Sequence, residues 1–261
     1  MKHSAVWLLC CITMSALVPG NPSRAFGQDL TTVSISDPAY GMKAFNVTIP
    51  AGWKFDGTVI PGPDCSRVPM PTFRAYSPDG LTEIRLMPAF NWTFHPTQRG
   101  FRPVGGCIHF SGPMSAAEFL KHFEEMVGSD GMLVDGPVPV GDAYQQRVSG
   151  VARNMSQLGP NIRANADAAA VKVETRNGTF VVEQRLCVYV ECRVVTSGPD
   201  ANGGGCSAHV DVERAPKGKL EALCALVDAH DLVRTPNDDA YAQRVKQALA
   251  QRALNDQRRL T

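Results

Sequence analysis

The sequence has no surplus of charge of either sign. Its 261 residues include 26 lysines and arginines against 25 aspartates and glutamates. Nucleic acids and anionic lipid surfaces attract proteins chiefly through an excess of positive charge. We therefore expect neither nucleic acid nor a membrane surface as a partner of this chain.

The sequence also lacks an apolar run long enough to cross a bilayer. Its longest such run, from Ala5 to Val18, has 14 mostly apolar residues, whereas a spanning helix needs about 20. No later segment approaches that length. The sequence therefore predicts no transmembrane segment.

Familiar signatures of hydrolases and metal sites are absent as well. The chain contains no Gly-x-Ser-x-Gly, no Ser-x-x-Lys and no His-Glu-x-x-His, the spacings that serve nucleophilic and zinc-dependent hydrolysis. It also lacks the Cys-x-x-Cys pair typical of structural zinc sites. Isolated His–carboxylate pairs, such as His209 with Asp211 and His122 with Glu125, are more typical of surface pairs than of ligands. We expect no metal and no cofactor.

The chain does begin with a segment typical of a Sec-type signal peptide. Lys2 supplies a positive start, the apolar run follows, and small residues allow cleavage after Ala25 or Gly27. We therefore expect residues 1–27 to be removed and the protein to be secreted or periplasmic. Removal takes Lys2 and Arg24 from the 26 basic residues and leaves 24 against 25 acidic ones.

Six cysteines remain after that cleavage, and an even number in an exported protein indicates disulfide bonds. Six cysteines allow 15 pairings, among which the sequence alone does not choose. Proximity in the chain favours Cys65–Cys107 in the first half. In the second half, Cys192–Cys206 would close a Gly-rich loop and Cys187–Cys224 would tie a strand to a helix.

Hydrophobic periodicity predicts antiparallel strands interrupted by helices. Strands are expected at 44–50, 72–76, 81–94, 168–175 and 179–195, the last two joined by an Asn177-Gly178 turn. Helices are expected after the capping box Ser115–Glu118, from Asp142 to about Gln157, from Leu220 to Val227 and after Asn237. Both faces of 186–192 carry apolar residues, as in a central strand that is covered on both sides.

These elements predict a single α+β domain over residues 28–261. An antiparallel sheet with helices on both faces, stabilised by disulfides, accounts for their order. The stretch from Gly159 to Asp167 is the one internal segment that resembles a break. The polar end of the last helix, from Gln251 to Thr261, is expected to fray.

Three consecutive motifs in the first half carry a family resemblance. The strand FNVTIP runs into AGW at Phe45–Trp53, the hairpin TFRAYSPDGLTEIRLMP follows, and the helix SAAEFLKHF comes next. Together they resemble the PsbP-like sandwich proteins, which include the photosystem extrinsic protein, the Mog-type Ran-binding protein and many secreted bacterial proteins. The resemblance covers about residues 40–130 and implies an α/β/α sandwich. It implies no catalytic residue, because the family shares none.

One motif has the composition of a nucleophile site. Gly203-Gly-Gly-Cys206-Ser-Ala-His209 combines a cysteine, a nearby imidazole and glycines whose backbone amides could bind an oxyanion. A cysteine in an exported protein is more typically oxidised, and this favours a non-enzymatic reading. A second motif is the row Phe90, Trp92 and Phe94, whose period of two is more typical of a buried strand face than of a ligand groove.

The sequence therefore predicts an exported, non-enzymatic binding or accessory module of the cell envelope, with an unidentified protein or small ligand as its partner. Contacts through a sheet edge or loops are expected. The alternative is a secreted hydrolase or transferase that uses Cys206 with His209.

Overall fold

The computed structural model describes residues 29–95, 107–108, 110–127, 132–154, 159–177, 180–198, 201–230, 235–236 and 239–260. The predicted signal peptide, the turn residue Gly178 and the expected helix cap Asn237 lie outside these residues. Within the described ranges, no helix is both long and apolar enough to span a bilayer.

The described residues form eleven strands and four helices. The strands are β1 Leu30–Asp37, β2 Met42–Pro50, β3 Lys54–Ile60, β4 Met70–Tyr76, β5 Glu83–Leu86, β6 Phe90–Phe94, β7 Met132–Val138, β8 Ile162–Asn177, β9 Phe180–Val195, β10 Gly204–Pro216 and β11 Thr235–Pro236. The helices are α1 Ala116–Val127, α2 Asp142–Asn154, α3 Leu220–His230 and α4 Asp239–Leu260.

The strands pair in two antiparallel sheets. The large sheet has eight strands in the order β3-β4-β5-β10-β9-β8-β7, with β6 pairing β10 beyond the end of β5. The small sheet has the order β1-β2-β11. Helices lie on the large sheet, so the expected α+β class with antiparallel strands is confirmed.

The long β8–β9 hairpin forms the centre of the large sheet. Its ladder runs from the pair Asn177–Phe180 at the turn to Ile162–Val195 at the open end. The hairpin predicted from Asn177-Gly178 is confirmed, but β8 begins earlier than expected. Gly159 to Asp167 is therefore no interdomain break, because Ile162 onward pairs with β9.

Alternation along β9 separates two faces of the sheet. Leu186, Val188 and Val190 point to the face on which α1 packs, through Phe119 and Phe123. Cys187 and Tyr189, of the opposite parity, point to the face on which α2 packs through Tyr144. The apolar residues on the two faces of β9 thus pack against two different helices, α1 and α2.

Helix α1 begins at the predicted capping box. The Ser115 backbone N–H donates to Glu118 Oε2 at 2.8 Å, and the Glu118 N–H donates to Ser115 Oγ at 3.2 Å. These reciprocal bonds satisfy amides that a helix start leaves without partners. The expected helix is therefore confirmed from its first residue.

The far end of the α2 face packs against the small sheet. Ile84 and Leu86 of β5 form a core with Ile35, Ile49 and Leu223 of α3. The strand predicted over 81–94 is divided there, since β5 ends at Leu86 and β6 begins at Phe90. Pro88 lies in that gap and has no N–H to donate to a ladder.

Candidate functional site

Two of the three expected disulfides form. Cys65 is bonded to Cys107 and Cys192 to Cys206. The second bond joins residues that lie directly opposite each other on β9 and β10.

The third expected pair does not form, because Cys187 and Cys224 are free thiols. The Cys187 Sγ lies 3.9 Å from Glu213 Oε2 instead. Burial, followed by the charge of Glu213, raises the pKa of Cys187 and raises that of Cys224 to about 12. Both thiols are therefore protonated at neutral pH and are poor nucleophiles.

The suggested nucleophile Cys206 and its partner His209 do not face each other. Residues three apart on a strand point to opposite faces, and both residues lie on β10. Cys206 packs in the core beneath α1, whereas the ring of His209 lies 6.1 Å from that of Tyr189 on the other face. The strand conformation of β10 therefore explains the separation.

The aromatic row Phe90, Trp92 and Phe94 belongs to the core, as predicted. Trp92 is 1 % exposed, and its Nε1 donates to Gly112 O at 3.0 Å. Its ring stacks on Phe119 of α1. The row is therefore not a ligand surface.

A groove of about 490 Å³ lies between the loop around Cys65 and the sheet face of β6, β10 and β9. That volume falls in the range of small-molecule sites. The loop closes tightly at Gly62, where an added Cβ would lie 2.2 Å from the backbone oxygen of Val68. The Cys65–Cys107 bond fixes the same loop to Cys107. The wall of the groove is thus constrained by the close approach of Gly62 to Val68 and by the Cys65–Cys107 bond.

The floor of the groove consists of small and polar residues in two rows across three strands. The rows are Thr93–Gly205–Arg193 and Asn91–Ser207–Glu191. At Gly205 an added Cβ would meet its nearest atom, Trp92 O, at an ordinary 3.5 Å. Glycine here leaves space over the floor and is not a requirement of the backbone.

The charged residues of the floor neutralise each other. Arg193 Nε and Nη2 donate to Glu191 Oε1 at 3.1 and 3.0 Å. The Tyr189 hydroxyl donates to Glu191 Oε2 at 3.3 Å, and burial and Glu191 raise the pKa of Tyr189 to about 12. The hydroxyl therefore stays protonated at neutral pH, and the groove presents polar groups without net charge.

A buried ionic network lies on the same face, beneath α2 and α3. Arg185 Nε and Nη2 donate to Glu213 at 3.0 and 3.2 Å, and Arg185 Nη1 and Nη2 donate to Asp228 at 2.8 and 2.9 Å. Arg185 and Glu213 side chains are 6 % and 1 % exposed. Gly141, just before α2, leaves space for the Asp228 carboxylate, because an added Cβ would lie 2.4 Å from Asp228 Oδ1.

A tyrosine–aspartate contact extends the network. The Tyr144 hydroxyl of α2 donates to Asp211 Oδ2, so the predicted His209–Asp211 pair is not isolated at the surface. Burial and the neighbouring Asp211 raise the pKa of Tyr144. Arg185 and Glu213 are almost completely buried and do not line the groove, so their ion pair fits a structural role.

The described residues include no group of three or more His, Cys, Asp or Glu side chains placed to hold a metal ion. His122 lies 3.3 Å from Glu125 on the exposed side of α1. Comparison of the chain with family models, with curated proteins and with solved structures finds no match. Function is therefore argued from the site itself.

Sequence reasoning missed the groove floor and the ionic network. The floor residues come from three strands whose neighbourhood only the register defines. The network had a visible signal, because the charged Arg185 directly precedes the apolar run Leu186–Val190 of the central strand. A charge at such a position indicates a buried partner.

Proposed function

We propose that the protein is an exported, non-enzymatic binding or accessory module of the cell envelope that holds a small polar ligand in the groove between the Cys65 loop and the sheet. The observation that carries this proposal is the groove itself. One disulfide fixes its wall, and the other joins two of the three strands of its floor, β9 and β10. Such bonds persist in oxidising compartments.

The chemistry of the floor favours a neutral ligand rich in hydroxyl or amide groups, such as a sugar. Thr93 and Ser207 offer hydroxyls, and Glu191 with Arg193 offers a neutralised ion pair. An anion or a cation would have to displace one member of that pair. A neutral ligand can bind without breaking the Arg193–Glu191 pair.

The PsbP-like resemblance and its α/β/α sandwich belong to the same proposal. What supports them is that α1 packs on one face of the large sheet and α2 on the other. The alternative, a hydrolase or transferase using Cys206 with His209, needs a free thiolate at Cys206. That cysteine is bonded to Cys192.

Filling the groove tests the proposal. Gly205→Leu places a side chain over the floor without a backbone clash, and we expect it to abolish binding. The probes are cellobiose and chitobiose at millimolar concentration, followed by shifts of the backbone amides of Thr93, Gly205 and Ser207 in two-dimensional NMR spectra of the wild type.

Gly150→Leu is the matched control, because an added Cβ there meets only the tip of Arg153 at 3.9 Å. The control variant should bind like the wild type. Amide shifts that persist in Gly205→Leu, or their absence with both sugars in the wild type, would contradict the proposal.

A further inference from the structure

A second surface lies on the opposite side of the sheet from the groove, where β3, β4, β5 and β10 expose charged side chains. The register sets two adjacent rows across these strands. We define the arginine face by their charged and aromatic members: Lys54, Tyr76, Glu83 and Arg214 in one row, and Asp56, Arg74 and Arg85 in the other. The three arginine side chains are 40, 45 and 35 % exposed at Arg74, Arg85 and Arg214.

One buried carboxylate serves all three arginines. Glu83, whose side chain is 3 % exposed, accepts from Arg85 Nε and pairs with Arg85 Nη2 at 2.7 and 2.6 Å through Oε1. Its Oε2 lies 2.8 Å from Arg74 Nη2 and 3.9 Å from Arg214 Nη1. The Arg214 contact is too long for a hydrogen bond, so donor groups remain available beyond those that Glu83 engages.

The arrangement retains positive charge at a cost. Arg74 and Arg85 lie directly opposite each other on neighbouring strands, a pairing of like charges that destabilises a sheet. Over the whole face, four cations stand against the two carboxylates of Glu83 and Asp56. Arg74 Nε is also buried without a hydrogen-bond partner among the described residues.

Aromatic contact holds one guanidinium in place. The Arg74 guanidinium lies over the Tyr76 ring at 4.4 Å from its centre, and Lys54 Nζ lies 5.9 Å from the same centre. Such contacts keep a guanidinium flat on its support with its edge available. The Arg74 guanidinium is therefore oriented before any partner arrives.

We propose that the arginine face docks an acidic, carboxylate-rich segment of a partner protein. The planar guanidinium fork can match a carboxylate in two parallel hydrogen bonds. Arg85 Nε and Nη2 both contact the single oxygen Oε1 of Glu83, so this pair shows the charge complementarity but not that geometry. The groove does not open on this face. A flat, open surface suits an extended chain better than a small molecule, which needs enclosure.

The test measures binding of fluorescently labelled hexaglutamate to the full protein at low salt, with hexaglutamine as the neutral reference. We expect hexaglutamate alone to bind and added salt to weaken it. Arg214→Gln leaves Glu83 its two closer partners, Arg74 and Arg85, so we expect the fold to be retained. Loss of the exposed ion pair between Arg214 and the peptide should weaken binding roughly two- to five-fold. Arg74→Gln combined with Arg214→Gln should weaken it further.

Arg163→Gln, an exposed arginine of β8, is the matched control and should leave binding unchanged. Equal binding of the two peptides, or equal weakening by Arg163→Gln, would overturn the proposal. So would a lack of hexaglutamate binding combined with Arg214-dependent binding to phosphatidylcholine vesicles that contain phosphatidylglycerol, which would identify a membrane surface as the partner.

Discussion

At the scale of single residues, Arg185 is the cation that balances two carboxylates in the interior of the protein. It lies in the central strand β9 and is paired at once with Glu213 of β10 and Asp228 of α3. Burial lowers the pKa of Arg185, but its hydrogen bonds to the two carboxylates outweigh this and keep it charged. Its removal leaves Glu213 buried without a counter-charge.

We predict that Arg185→Met costs roughly 3–5 kcal/mol of unfolding free energy, the usual penalty for breaking one side of a buried ion pair. Urea unfolding at neutral pH measures it. Arg163→Met, at an exposed site, should change stability by less than about 0.5 kcal/mol.

A second variant keeps this prediction testable if the first fails to fold. Replacing both buried partners, Arg185→Met with Glu213→Leu, removes the stranded charge and should recover much of the loss, since apolar pairs often substitute for buried ion pairs. Asp228 is 32 % exposed at its side chain and can be hydrated. A loss of unfolding free energy below about 1 kcal/mol in Arg185→Met would show that the ionic network contributes little to stability.

Residue-scale expectations from the sequence succeeded where the constraint is local. Trp92 was predicted to be buried from the period-two row of aromatics, and Cys192 was expected to pair with Cys206 from their spacing. The pairing of Cys187 with Cys224 was wrong because Cys187 faces the carboxylate of Glu213 in the interior. That neighbour is 26 residues away in the chain.

At the scale of elements, α1 shows how a short motif fixes a boundary. The Ser115 backbone N–H holds the pKa of Glu118 below its usual value. A lowered pKa means that the carboxylate stabilises the helix above its unfolded-state pKa and loses that effect as the pH falls through the folded-state pKa.

We predict that Ser115→Ala lowers stability by about 1 kcal/mol at neutral pH, because a helix start loses its cap. Chemical denaturation measures the change, and the difference from wild type should shrink in acid. Ser149→Ala, at an exposed site within α2, is the control and should leave stability nearly unchanged. A loss of equal size in both variants would argue against the capping box.

Strong local signals predicted the elements that the structure confirms. Asn177-Gly178 in the sequence predicted the β8–β9 hairpin, and the Ser115–Glu118 box predicted the start of α1. No strand was predicted over β10, because glycines such as Gly204 and Gly205 weaken a strand interior. Their strand conformation depends on pairing to both β6 and β9, and Gly204 is needed because an added Cβ would lie 2.1 Å from Arg193 O.

At the scale of the whole molecule, the two disulfides link the fold to the proposed function. They fix the wall and the floor of one groove, and the other two cysteines of the described residues, Cys187 and Cys224, are thiols with raised pKa values. The sequence predicted export and oxidised cysteines together. It did not predict the groove, because no local pattern indicates which faces of β6, β9 and β10 adjoin.

The central claim is an exported protein whose Cys206 is structural, and peptide mapping by mass spectrometry after alkylation tests it most directly. The sample is the protein exported by its own leader and alkylated in denaturant without reduction. We predict a first residue of Phe26 or Gln28, bonds Cys65–Cys107 and Cys192–Cys206, and label on Cys187 and Cys224 alone. An intact leader, or label on Cys206, would contradict the account.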